Sequence, residues 1–250
     1  MLLRRVTRHF EIQNWFAVGI DFVIVVVGVF VGIQVSNWNE ARIDRATGER
    51  HLAEIAEDLR EHLDFHGALY GSAVARIAAA DYLLDAAGRP PAPPELRLSV
   101  TTFAAPDTPA IPEERLDAIL GWLNLVRVTV SARNGYESLI SSGNLGLLAN
   151  RELARGIQRY YGSYDDLLDT QKLFREFRNE GVRAGYAYGL SAFDRRPIAE
   201  VVAVVRESDE YAAYVRTTRE WAIAHAGMLD ELRVETERLL AQIERELEPN

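Results

Sequence analysis

The chain is 250 residues long and acidic, with 28 Lys and Arg against 37 Asp and Glu and a formal net charge of −9. That balance, with no concentrated basic cluster, excludes a general nucleic-acid binder, which needs a basic surface to meet phosphates. The absence of cysteine removes disulfides, thiolate catalysis and cysteine-ligated metals.

The overall hydrophobic content of 48% is ordinary, but it is unevenly spread. Lys172 is the only lysine, which reads as compositional bias, not as an arginine-dependent activity. Residues 15–35, "WFAVGIDFVIVVVGVFVGIQV", carry Asp21 as their only ionisable group. At about 1.5 Å per residue, a helix of this length spans the roughly 30 Å hydrocarbon layer of a bilayer. Trp15 and Trp38 flank it, where indole rings favour the headgroup level. No small-residue cleavage site follows, so the expectation is an uncleaved transmembrane helix over 15–36, preceded by a short segment, 1–14. Arg4, Arg5 and Arg8 lie before the span, and Arg42, Arg45 and Arg50 after it. The downstream three are interleaved with Glu40, Asp44 and Glu49, which favours a cytoplasmic N-terminus and an exported C-terminal part.

On a helical wheel Ala17, Asp21, Gly28, Gly32 and Ser36 share one broad face. Gly28 and Gly32 form a GxxxG, which lets helix backbones approach closely in lipid, so this face is the predicted oligomer interface. A carboxylate within a span is costly and invites a functional reading, here a ring of Asp21 side chains lining an ion path. The simpler reading is that Asp21, near the end marked by Trp15, reaches headgroup water or pairs with an arginine.

From residue 37 to 88 no proline interrupts the chain. Apolar or small residues recur at Leu52, Ile55, Leu59, Leu63, His66, Tyr70, Ala73, Ile77, Ala80 and Leu84. This alternation of three and four predicts a stalk helix continuous with the span, packing on partners or on later helices, and ending at Gly88. Residues 89–250 are predicted as a helical domain. A proline-rich loop over 88–112 opens it, and "LRLSVTTFAA" within that loop suits a short strand. Pro112-Glu113-Glu114 starts a helix to about Val128. The "SARNGYESLISSGNLGLLANRE" stretch reads as a helix, a stop at Gly143, and a new helix capped by Asn150 running to about Tyr188. Pro197 precedes another helical turn, and residues 209–247 keep helical periodicity. The fold class is all-α, a transmembrane and stalk helix followed by an α-helical bundle.

His62 and His66, spaced i, i+4 with Asp58 one turn earlier, are the only weak metal candidates, and they lack a third and fourth ligand of defined spacing. Core packing is the better account of them. Tyr160, Tyr161, Tyr164, Tyr186 and Tyr188, near Arg159, Arg175 and Arg183, suggest a ligand pocket only if the fold brings them together. No catalytic motif occurs, so no enzyme and no cofactor is expected.

The stretches "GVFVGIQVSNWNEAR" and "YESLISSGNLGLLANRELARGIQRYY" resemble a family of bacterial membrane proteins described only as a domain of unknown function. The resemblance implies a single-pass anchor plus a helical domain, placed in the bacterial inner membrane, and carries no activity or catalytic residue. Two functions follow as expectations. One is a scaffold or sensor that self-associates through its transmembrane and stalk helices, with the lipid bilayer, further copies of itself and a membrane or envelope protein as partners. The alternative is a homo-oligomeric channel, or a channel accessory subunit, with Asp21 at its lining.

Overall fold

The computed structural model describes residues 15–98, 100–127 and 132–248, with side chains from Val18 onward. Arg4, Arg5 and Arg8, and the side chains of Trp15 and Ala17, lie outside the described part. The fold is all-α with one small hairpin.

Helix α1, Trp15–Ala86, is a single unbroken helix of 72 residues, about 108 Å long. Its two halves differ. Every residue over 18–46 is exposed, including Phe22, Phe30 and Trp38. From Gly48 onward, one face is covered by the rest of the chain. The stripe read from the sequence is what becomes covered: Ile55, Leu59, Ala73, Ile77 and Ala80 are fully or almost fully buried. The stalk therefore packs on later helices of its own chain.

Gly88 ends α1 as a left-handed cap, φ 69°. The amide of Arg89 donates to Leu84 O at 2.9 Å and that of Gly88 to Asp85 O at 2.8 Å, the paired bonds that satisfy the last free carbonyls of a helix. The proline-rich stretch then forms an antiparallel hairpin, β1 Glu95–Leu98 and β2 Thr101–Ala104. Leu96 pairs with Phe103, and both lie against Ile77, Ala222 and Ile223.

A 3-10 turn, Glu113–Ala118, leads into α2, Ile119–Asn124. The helix thus stops before the expected Val128. Asn124 turns its amide onto Leu120 O at 2.7 Å and accepts from the Tyr214 hydroxyl at 2.5 Å. That buried commitment fixes Asn124, and Leu125 leaves it with extended backbone.

Helix α3, Asn134–Ser141, ends before Gly143, φ 71°. Asn150 then caps α4, Arg151–Tyr186, accepting from the amides of Glu152 and Leu153. Helix α5, Ile198–Glu207, and α6, Asp209–Leu247, complete the chain.

The core is elongated along the covered half of α1, between α4 and α6. At one end Leu52, Ile55 and Leu59 meet Ile157, Tyr160, Leu239 and Ile243. At the other, Ala80, Leu83 and Leu84 meet Leu120, Val205, Tyr211 and Val215. Helix α4 thus runs parallel to α1, and α6 runs antiparallel to both.

Candidate functional site

The exposed half of α1 carries the features singled out in the sequence. Asp21, Gly28, Gly32 and Ser36 are all exposed, and a methyl group added at either glycine would meet nothing within 4 Å. The glycine face is therefore open on the single chain. By length and composition this helix is able to cross a membrane, and none of its most apolar window is buried.

Inside the bundle, His62 and the tyrosines form a polar island in the core. His62 Nδ1 lies 2.6 Å from the Tyr160 hydroxyl, which lies 3.0 Å from Thr236 Oγ1, which donates to Leu232 O at 2.7 Å. Because the Thr236 proton is committed to Leu232, Tyr160 donates to Thr236 and His62 Nδ1–H donates to Tyr160. The imidazole stacks on Tyr164 with centroids 4.4 Å apart. Burial holds the imidazole neutral, with its pKa pushed down to about 4.

Asp58 supports the same layer. Its Oδ2 accepts from the Gly135 amide at 2.8 Å and from the Tyr161 hydroxyl at 3.3 Å. Burial raises its pKa, with the Gly135 bond opposing. Burial likewise raises the pKa of Tyr160 and Tyr161 above the ordinary phenol value. A Cβ on Gly135 would stand 2.6 Å from the backbone of Glu54 and Ile55, so only glycine lets α3 dock this closely on α1.

His66 lies one turn along, stacked on Tyr70, and burial lowers its pKa too. Both histidines line a small cavity of about 20 Å³, room for a single water. Among the described residues no group of three or more His, Asp or Glu stands together as a metal site. The five sequence-selected tyrosines do not converge: Tyr160, Tyr161 and Tyr164 are core, whereas Tyr186 and Tyr188 are exposed.

Two features escaped the sequence reading. Arg76 is fully buried and, among the described residues, has no carboxylate partner. Its Nε donates to Ser72 O at 3.3 Å, Nη2 lies 2.8 Å from His225 Nδ1, and its guanidinium lies over the Phe174 ring at 4.5 Å. Since arginine only donates, His225 Nδ1 accepts and its Nε2 carries the proton. Burial, then the nearby guanidinium, drops the His225 pKa to about 3, and burial lowers that of Arg76 to about 10. The second feature is an open cleft of about 490 Å³ beside α1, lined by Gly67, Gly71, Trp122, Phe193, Arg127 and Arg195 among others.

No family model, no curated protein and no solved structure matches the chain.

Proposed function

We propose that the protein is a membrane-anchored helical scaffold, without catalytic activity, that self-associates through its span. The observation that carries this reading is the unbroken α1. Over 18–35 the residues, all hydrocarbon side chains or glycine except Asp21 and Gln34, stand clear of the fold. The same rigid helix continues into the bundle. Such a helix satisfies its backbone internally, so its apolar side chains need lipid, or each other, and nothing else. The stalk's apolar stripe is consumed within the chain. Self-association is therefore assigned to the glycine face and to the exposed residues that follow it up to 46.

In this reading the span lies in a bacterial inner membrane, with the N-terminus cytoplasmic and the bundle in the periplasm. A reporter active only in the cytoplasm, fused after Asn250, should stay silent; activity there would reverse the orientation. For self-association, Gly28→Leu with Gly32→Leu should convert oligomers to monomers in lipid nanodiscs, while Asp21→Asn leaves them unchanged. Oligomers that survive both leucines would sink the glycine-face assignment.

The exposed carboxylate on that same face favours one second reading, a homo-oligomer that conducts ions past Asp21. Asp21→Asn should then alter ion flux in reconstituted vesicles. A protein that passes no ions at any pH or tension is not a channel.

A further inference from the structure

We propose that the cleft beside the middle of α1 binds a long-chain carboxylate, with the acyl chain on its floor and the carboxylate at Arg127 and Arg195. Gly67, Gly71 and Ala75, one turn apart, leave the α1 surface flat there. A methyl group added at Gly67 or Gly71 would meet nothing within 4 Å, so the floor is open and the glycines are not needed for close packing. Trp122 and the 67% exposed Phe193 form apolar walls. The volume, about 490 Å³, falls within the roughly 300–1,000 Å³ of small-molecule sites.

Two observations select this occupant. Charge is the first. In a chain of net charge −9, the charged residues lining the cleft are Arg127 and Arg195. A third guanidinium, that of Arg115, lies 5.7 Å from the Trp122 ring centre. The acid at this rim, Asp117, meets Arg195 at 3.3 Å across a largely exposed contact, which an incoming carboxylate can exchange. Hydrogen bonding is the second. The floor is helical backbone already paired within α1, so an extended peptide would find no partners along it for its own amides. A hydrocarbon chain has none to satisfy. The occupant that fits is apolar along its length and anionic at one end.

The test uses the full chain in vesicles of zwitterionic lipid, irradiated with a diazirine-bearing long-chain fatty acid or with the matching fatty alcohol. The acid should label residues 67–75 and the two aromatic walls, and the alcohol should label α1 only within 15–36. Arg127→Ala and Arg195→Ala should each reduce cleft labelling about tenfold, the size of one charge-assisted hydrogen bond. Gly71→Phe fills open space, so it should abolish cleft labelling and leave the thermal unfolding midpoint unchanged. Equal labelling by acid and alcohol, acid label confined to 15–36, or cleft label that persists in Gly71→Phe would each overturn the assignment. So would a disulfide between copies formed efficiently through Gly71→Cys, since a second molecule would then cover the cleft.

Discussion

Burial of titratable side chains sets how this protein responds to acid. His62 and His225 are 8% and 4% exposed, with pKa values pushed down to about 4 and about 3, against roughly 6.5 in an unfolded chain. The unfolded state therefore takes up protons first, and stability falls as pH drops from about 6.5 toward those folded values. By pH 5 the loss should reach up to about 2 kcal/mol per histidine, read as a lower urea midpoint, and His62→Gln should flatten that fall. Asp58 acts oppositely. Its raised pKa means that its burial cost is present above the carboxylate range and is relieved as it protonates. A second prediction at this scale concerns Gly135. Gly135→Ala forces a Cβ against the α1 backbone and should cost about 1–3 kcal/mol, the usual range for overpacking. The asparagine-glycine pair gave no hint of this, because the clash lies with a helix some 80 residues away. Arg76 was illegible for a related reason. An arginine on a helix defaults to the surface, and only α4 and α6 closing over it make it a core residue.

At the level of elements, punctuation was largely readable because it is local. Gly88 and Gly143 adopt the left-handed backbone that their stop positions require, and Asn150 caps α4 with its own side chain. Asn150→Ala should cost about 1 kcal/mol, measured as a drop in thermal midpoint with the helical signal retained. The hairpin depends on packing instead. Phe103 lies over Gly227, where a Cβ would stand 2.2 Å from the ring. Gly227→Ala should displace the hairpin from α6, seen as faster amide exchange over 95–104. The early stop at Asn124 was not readable, since the bond that fixes it comes from Tyr214, 90 residues on.

Across the whole molecule, two kinds of surface share one helix. Residues 18–46 are exposed throughout and the bundle starts at Gly48, where a Cβ would already stand 3.0 Å from Leu147 O. A chain beginning at Arg45 should therefore keep the bundle's helical signal and its cooperative melt, and stay monodisperse in plain buffer. The full chain should need lipid or detergent. Loss of the melt in the shortened chain would show that the exposed half holds the bundle together.

The sequence by itself determined what depends on neighbours a few residues away: the helical periods, the caps, the apolar run of 15–35 and the all-α class. Tertiary structure decided what covers each stripe. It turned the stalk's apolar face inward onto α4 and α6, separated Tyr186 and Tyr188 from the core tyrosines, buried Arg76, and left an arginine-rimmed cleft above a glycine floor. The physical reason is that apolar burial is non-directional. A hydrophobic stripe states that it must be covered, but which distant helix covers it depends on the shape of the whole chain once packed.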